Sequence, residues 1–280
     1  MILNVQNLNY KMDEQLIQDI KSGKYKKIVI FSGAGVSLAS GIPVYRGPDG
    51  LYAKLTERLR EENVKDSNGN YVTAECYFTE TYVKAHPECR MHPLILEARE
   101  QLIKAEPTYA HKLAKFLYDK GWLKRIYTQN IDGLYQKAGL PDEKVIEVHG
   151  SYRNGNLVLF GGQLDRGYIE KAMIEDKIDQ DIDLGIVMGT SLAVSPFCWF
   201  PNILPPTCHR VAINKDPFDC NDSFLYLSGN HDSDIKDNLY YLIDKKMTMC
   251  NLWSDRYHYY DKQTLLFNRD LQEISKNIIE

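Results

Sequence analysis

A glycine-rich segment, Gly33-Ala34-Gly35, closely follows an apolar run at Ile28 to Phe31. Consecutive apolar residues of this kind are typical of a strand buried on both faces of a parallel sheet. Glycine after such a strand permits a tight turn and a close approach of the backbone to a ligand. A helix beginning near Val36 would direct free N–H groups and the positive end of its dipole at this turn, which suits a diphosphate. The segment alone also fits an ordinary strand-to-helix turn, because Gly41 is too far along the chain to complete the usual dinucleotide fingerprint.

Later apolar runs also end in a polar or glycine residue. The runs are 123–128, 145–148, 183–188 and 210–213, and the residues that follow or end them are Gln129, His149, Gly189 and Asn214. Helical patterns separate most of the runs, which predicts an α/β fold with a parallel sheet. Ligands of an open parallel sheet bind beyond the carboxyl ends of its strands. We therefore predict that these residues and Gly33 line one cleft.

The side chains at these strand ends could hold a nucleotide. Gln129, Asn130 and Asp132 offer amides and a carboxylate, which can bind ribose hydroxyls and a carboxamide. Thr190 and Ser191 offer hydroxyls that can donate to ribose or phosphate. A plainer interpretation stays open for both groups, since these residue types also cap helices and turns.

A histidine at a strand end could move a proton. His149 ends its apolar run and precedes a glycine. The imidazole pKa lies near neutrality, which suits a general base. The alternative is a hydrogen-bonded turn residue without a catalytic role.

The composition is that of an ordinary globular protein. The chain has 280 residues, 44% of them apolar and 26% charged, and its net charge of −4 gives no sign of a nucleic-acid-binding surface. None of the six cysteines forms a Cys-x-x-Cys pair, so we expect reduced thiols in an intracellular protein, cytoplasmic rather than nuclear, although a nuclear location stays open. No apolar run reaches ~18 residues and no secretion signal is evident, so we expect neither membrane spanning nor export.

The segment from Ile28 to Gly47 closely resembles the first signature of the sirtuins, the NAD-dependent protein deacylases. The matching residues are Gly33, Ala34, Gly35, Ser37, Ser40, Gly41, Ile42, Pro43, Arg46 and Gly47. The departures are Val44 and, more mildly, Tyr45. Further matches to sirtuin signatures are Thr128 to Leu134, His149-Gly150, Gly189 to Leu192 with Val194 and Pro196, and Ile213-Asn214, while Gly229-Asn230-His231-Asp232 matches in part.

The resemblance implies a Rossmann-like parallel sheet with helices on both faces, together with a small domain. It also implies NAD as cofactor and an acyl-lysine protein or peptide as substrate. The implied catalytic residues are His149, as the general base, and Asn130, which orders the site. The implied cofactor-binding residues are Gly33, Ala34, Gly35, Ser37, Tyr45, Arg46, Gln129, Asn130, Asp132, Gly189, Thr190, Ser191, Asn214, Asn230 and His231. Substrate contacts are implied at Val158, Phe160 and Gly161, in a strand that pairs with the peptide.

The segment after His149 departs from the family. Sirtuins usually carry a zinc module there with two Cys-x-x-Cys pairs, and residues 151–160 contain no cysteine. Asn154-Gly155 between extended residues predicts a tight β-hairpin in place of the module. The family's glutamate after the substrate strand is Gly162 here. We therefore predict a reduced small domain without metal and a change in peptide recognition.

The predicted organisation has three parts. Residues 1–47 and 108–250 form the NAD-binding domain, 48–107 with 151–170 form the small domain, and 251–280 form a carboxyl-terminal extension. We expect helices at Asp13 to Ile20, Tyr77 to Ala85, Leu94 to Lys104, Thr108 to Asp119 and Asp270 to Ile278, and a polar loop from Glu57 to Asn70.

Three functions remain open on the sequence alone. The first is an NAD-dependent protein-lysine deacylase. The second is an NAD glycohydrolase or mono-ADP-ribosyltransferase, which gains weight from the departures at Val44 and Gly162 because they affect substrate handling. The third is a non-catalytic NAD-binding scaffold, which is disfavoured because Asn130, Asp132 and His149 are all present. The oligomeric state stays open.

Overall fold

The core is a twisted parallel sheet of six strands in a computed structural model that describes residues 15–42, 45, 50–214, 263–267 and 271–280. The strands are β1 (Ile28–Ser32), β2 (Leu123–Thr128), β3 (Val145–Glu147), β4 (Leu184–Met188), β5 (His209–Asn214) and β6 (Gln263–Phe267). They lie in the order β3-β2-β1-β4-β5-β6, and every neighbouring pair is parallel. The predicted fold class is confirmed. β6 has no counterpart among the predicted strands, because a five-residue run gives little periodic signal.

Helices connect and flank the strands. They are α1 (15–21), α2 (Leu51–Glu61), α3 (Ala74–Tyr77), α4 (Glu80–Ala85), α5 (Pro93–Lys104), α6 (Tyr109–Asp119), α7 (Leu134–Lys137), α8 (Arg166–Glu175) and α9 (Leu271–Ile279). Short 3₁₀ helices occupy Ala34–Ser40, Pro87–Met91, Asp142–Lys144 and Phe197–Ile203. Within the described ranges, every helix is too short or too polar to cross a lipid bilayer.

Both faces of the sheet are covered by apolar side chains. Successive residues of β1 point to opposite faces and so enter two different cores. Ile28 and Ile30 pack in a core with α1, α6 and α9, whereas Val29 and Phe31 pack in a second core with α8 and the 3₁₀ helix at Phe197–Ile203. The predicted carboxyl-terminal helix is confirmed as α9, and its apolar side chains Leu271, Ile274 and Ile278 are buried in the first core.

A third apolar cluster lies apart from the sheet. Leu55 and Leu59 of α2 pack there with Tyr77 of α3 and Val83 of α4, and Leu159 packs against them from a distant part of the chain. The segments that form this cluster are those assigned to the small domain, but the exact domain boundaries stay a prediction.

Two local predictions are wrong in detail. The expected polar loop from Glu57 is helical to Glu61, because Leu59 is buried and Arg58 pairs with Glu62 one turn later. The expected helix from Tyr77 to Ala85 is divided into α3 and α4, because the Thr79 hydroxyl accepts the Tyr82 N–H at 3.1 Å and so caps a new helix.

Candidate active site

The carboxyl ends of β1, β2 and β4 lie side by side and bring distant residues together. The Gly33 N–H donates to the carbonyl of Met188 at 3.3 Å, and the Gln129 N–H donates to the carbonyl of Ser32 at 3.0 Å. These bonds continue the sheet ladder past the ends of the strands. Gly33, Gln129 and Gly189 therefore meet at one edge, as their positions at strand ends predict.

The glycine-rich turn is pressed against the end of β4. The Gly35 N–H donates to the Gly189 carbonyl at 2.8 Å, and a Cβ on Gly35 would lie 2.7 Å from the Gly189 Cα. Gly189 itself has a left-handed φ of +61°. The expected α-helix near Val36 is instead a 3₁₀ helix from Ala34, and the N–H groups of Gly35 and Val36 are both bonded within the protein. Close backbone packing, rather than a free helix terminus, shapes this turn.

Ser37, Asn130 and Asp132 form a compact polar cluster next to the turn. The Ser37 hydroxyl donates to Asp132 Oδ2 at 2.7 Å, and Asn130 Nδ2 donates to the same oxygen at 3.1 Å and to Ser37 Oγ at 3.1 Å. Asp132 Oδ1 accepts the Leu134 N–H at 3.0 Å, so Asp132 also caps α7. Burial raises the pKa of Asp132, and the bonds from Leu134, Ser37 and Asn130 oppose that rise. The result is a preorganised carboxylate with its donors in place.

Gln129 is oriented by the loop after β4. The Thr190 hydroxyl donates to Gln129 Oε1 at 2.9 Å and accepts the Leu192 N–H at 3.1 Å. Leu192 has a left-handed φ of 52°, which is a strained conformation for a residue with a side chain. The Thr190 hydroxyl therefore acts within the protein, whereas Ser191 is exposed.

His149 lies beside Gln129, and its surroundings fix its tautomer. Its Nδ1 is 3.2 Å from the backbone carbonyl of Gln129. A carbonyl oxygen only accepts hydrogen bonds, so Nδ1 carries the proton and the lone pair of the neutral ring lies on Nε2. Burial lowers the pKa of His149, and the bond to Gln129 opposes this shift. The imidazole is therefore neutral at pH 7, with Nε2 able to accept a proton.

An aromatic cluster that includes Tyr45 lies near Asp132. The Tyr52 ring lies 5.8 Å from Tyr45, 5.6 Å from Phe78 and 6.0 Å from Phe160, measured between ring centroids. Burial raises the pKa of the Tyr45 hydroxyl, and the nearby Tyr52 and Asp132 add to this rise. Tyr52 of α2 and Phe78, which lies between α3 and α4, are absent from the predicted site because no chemical motif marks them in the sequence.

The segment after His149 forms a turn without flanking strands, so the predicted hairpin is wrong. Residues 152–155 turn, the Ser151 N–H donates to Asn156 Oδ1 at 2.9 Å, and the Val158 N–H donates to the His149 carbonyl at 2.9 Å. A side-chain amide therefore closes the turn in place of a strand ladder.

The predicted substrate strand contains only one bridge residue. Phe160 donates its N–H to the Phe78 carbonyl at 3.0 Å and accepts the Glu80 N–H at 2.9 Å, so both of its backbone groups bond to the α3–α4 region. A Cβ at Gly162 would lie 2.9 Å from the Leu159 carbonyl oxygen. This close contact explains in physical terms why glycine stands where the sirtuin pattern has glutamate.

Several predicted site residues cannot be placed. Arg46, Asn230 and His231 lie outside the described residues, and only the backbone of Asn214 is described, at the end of β5. Among the residues that the structure does describe, no group of three or more His, Cys, Asp or Glu side chains could hold a metal ion, and Cys76, Cys89, Cys198 and Cys208 are free thiols.

The parallel sheet defines a Rossmann-like fold. One edge of it carries a glycine turn, an amide-carboxylate cluster and a neutral histidine, an arrangement typical of a nucleotide cleft. The chain matches the model of the Sir2 family over residues 33–156. It is 30% identical to the NAD-dependent protein deacetylase hst2 of Schizosaccharomyces pombe over 281 residues, 86% of this chain and 77% of that protein. The chain belongs to the Sir2 family.

Other comparisons agree with this assignment. The chain is 33% identical to the NAD-dependent protein deacetylase sirtuin-2 of Danio rerio over 233 residues, 70% of this chain and 58% of that protein. A solved structure described as "The Structural basis of Sirtuin Substrate Affinity" superposes with a TM-score of 0.62 at 22% identity, covering 95% of this chain and 97% of that one. At this identity, the structural match shows a shared fold.

Proposed function

We propose that this protein is an NAD-dependent protein-lysine deacetylase. The observation that carries the proposal is the position of His149, a half-buried neutral histidine whose Nε2 can accept a proton and which lies beside the Gln129 to Asp132 segment. The relatives named above are NAD-dependent protein deacetylases, and their family is that of this chain. NAD, when bound, supplies an electrophilic ribose carbon with nicotinamide as leaving group, and the acetyl group ends on the ribose as O-acetyl-ADP-ribose.

The polar cluster would hold the nicotinamide end of NAD. Asp132 can accept a hydrogen bond from a carboxamide, and Asn130 and Ser37 keep its carboxylate in place. The Tyr45 ring would close this side against water. The Gly33 to Ser37 turn would hold the diphosphate, with Arg46 as counter-charge. Asn214, Asn230 and His231 would contact the adenosine end together with Ser191.

His149 would act in the second half of the reaction. Its Nε2 would be placed to accept the proton of a ribose hydroxyl, because this nitrogen carries the lone pair of the neutral ring. Gln129 would hold the ribose, since Thr190 fixes its carboxamide. The acyl-lysine would enter past the segment from Val158 to Gly161, whose first residue is bonded to the His149 carbonyl.

One assay tests the proposed function against its alternatives. Purified protein is mixed with NAD and an acetyl-lysine peptide, and the products are identified by mass. Deacetylated peptide with O-acetyl-ADP-ribose supports the deacetylase. Free ADP-ribose or a modified protein, without peptide deacetylation, would instead identify an NAD glycohydrolase or ADP-ribosyltransferase. NAD that binds and stays intact would identify a scaffold.

The pH dependence of the reaction should reflect the burial of His149. The general base works in its neutral form, so activity is complete above the pKa of His149 and is lost as the pH falls through it. Because burial lowers this pKa from 6.5, we expect the rate of deacetylated-peptide formation at saturating NAD and peptide to fall to half its plateau at a pH below 6.5. A midpoint above 6.5, measured at constant ionic strength, would contradict the assignment of His149 as the base.

A further inference from the structure

Glu147 precedes His149 by two residues, and both oxygens of its carboxylate accept hydrogen bonds. One carboxylate oxygen, Oε1, accepts the Ser151 hydroxyl at 3.1 Å, and the other, Oε2, accepts Gln136 Nε2 at 3.2 Å. The Gly150 N–H donates to the Glu147 carbonyl at 3.0 Å, so the backbone turns tightly between Glu147 and Gly150. Glu147 is half-buried; burial raises the pKa of its carboxyl, and the bonds from Ser151 and Gln136 and the charge of Arg153 oppose that rise.

The partners of Glu147 lie in the segments that follow Asp132 and His149 in the chain. Gln136 lies in α7, which begins two residues after Asp132. Ser151 begins the turn after His149, and the next residue, Tyr152, donates its N–H to the Ile131 carbonyl at 2.9 Å. Glu147 therefore connects the turn that carries His149 to the polypeptide that carries Asn130 and Asp132.

Within the part of the chain that the structure describes, one hydrogen bond holds the His149 ring. Its Nδ1 makes a single bond of 3.2 Å, at the long end of the normal range, to a carbonyl of a neighbouring strand end. The direction of Nε2 therefore depends on where the backbone of the turn places the residue. Misplacement of a catalytic group by ~1 Å can cost about 10²-fold in rate.

We propose that Glu147 is a positioning residue, which through Ser151 and Gln136 holds the His149 turn so that Nε2 meets the ribose hydroxyl. This inference rests on the proposed function, because it assigns His149 to the second half of the deacetylase reaction. A positioning role of Glu147 differs from a general stabilising role in one respect. Loss of Glu147 should slow the step that uses His149 and spare the earlier step, in which the bond to nicotinamide breaks.

Two readouts on the same protein separate these steps. Exchange of labelled nicotinamide into NAD, in the presence of acetyl-lysine peptide, reports the breaking of the bond to nicotinamide and its reversal. Formation of deacetylated peptide reports the complete reaction. In Glu147→Ala, we expect deacetylation to fall about 10- to 100-fold, while exchange stays within about threefold of the unmodified protein. The ratio of exchange to deacetylation should therefore rise.

Related variants make the result specific. Glu147→Gln keeps an oxygen that can accept the Ser151 hydroxyl but loses one acceptor, so its deacetylation rate should lie between those of the unmodified protein and Glu147→Ala. Ser151→Ala removes one donor to Glu147 and the acceptor of the Arg153 N–H, and it should give the same split with a smaller loss, which keeps the test open if Glu147→Ala fails to fold. Glu143→Ala, an exposed glutamate at the start of the same strand region, is the matched control and should change neither rate.

Two results would overturn the inference. The first is deacetylation by Glu147→Ala at the unmodified rate. The second is an equal loss of exchange and deacetylation in both Glu147→Ala and Ser151→Ala, as a purely structural role requires. An unmodified protein that catalyses neither reaction would instead overturn the proposed function, so the two failures are distinguishable.

Discussion

Replacement of His149 by alanine should lower the rate of peptide deacetylation by about 10²- to 10⁴-fold, which is the usual contribution of a positioned general base. The alanine removes a group that lies beside Gln129 and has a lone pair on Nε2 and a lowered pKa. The affinity for NAD should change little, because the glycine turn and the Ser37, Asn130 and Asp132 cluster are held by their own bonds. Turnover is measured as deacetylated peptide and affinity by calorimetry.

A second histidine provides the control for this substitution. His86 is exposed just after α4, and its described side-chain contacts are a hydrogen bond of Nδ1 with Glu88 and a ring contact with Tyr82. His86→Ala should therefore leave both turnover and NAD affinity unchanged. Undiminished turnover in His149→Ala would falsify the role of His149 as base. Loss of NAD affinity together with turnover would point instead to a structural role in the cleft.

The sheet and its cleft could be predicted because their signals are local. An apolar run followed by glycine or a polar residue marks the end of a buried strand, and parallel strands end at the same edge. Gly33, Gln129 and Gly189 follow this rule and meet as expected. The structure adds the reason for the glycines, since Gly35 and Gly189 approach too closely for a side chain on either.

The parts that could not be predicted depend on contacts between segments that are far apart in sequence or on single side chains. Asn154-Gly155 predicts a turn correctly. Whether strands flank the turn depends on which backbone groups the next residues bond, and the Phe160 N–H bonds to the Phe78 carbonyl rather than to a second hairpin strand. Glu147 could have been suspected from its position two residues before His149. Nothing in residue spacing reveals that its carboxylate accepts Gln136 from α7.

Replacement of Gly150 by alanine should disable the enzyme even though the substitution adds a single methyl group. Gly150 has a left-handed φ of +76°, and a Cβ there would lie 2.0 Å from the Asn156 carbonyl oxygen. The conformation costs a residue with a side chain ~1–2 kcal/mol, and the forced displacement of packed backbone adds roughly 1–3 kcal/mol. We expect the free energy of unfolding in urea to fall by about 2–5 kcal/mol in total.

The larger effect of Gly150→Ala should be on catalysis. The turn cannot keep Asn156 where it is, and the Val158 N–H bond to the His149 carbonyl lies just beyond it. A shift of His149 by ~1 Å would lower deacetylation by about 10²-fold in protein that is still folded. Circular dichroism at the assay temperature establishes the folded fraction, so that the rate is expressed per folded molecule.

A variant at Gly155, in the same turn, separates the effect of left-handed strain from the effect of the collision with Asn156. Its φ is +69°, but a Cβ there meets no atom within 4 Å, so Gly155→Ala carries the conformational cost without the collision. This variant should lose only ~1–2 kcal/mol of stability and keep nearly full deacetylation per folded molecule. Equal losses in the two variants would mean that left-handed strain alone governs the turn, and that the contact between Gly150 and Asn156 has no part in placing His149.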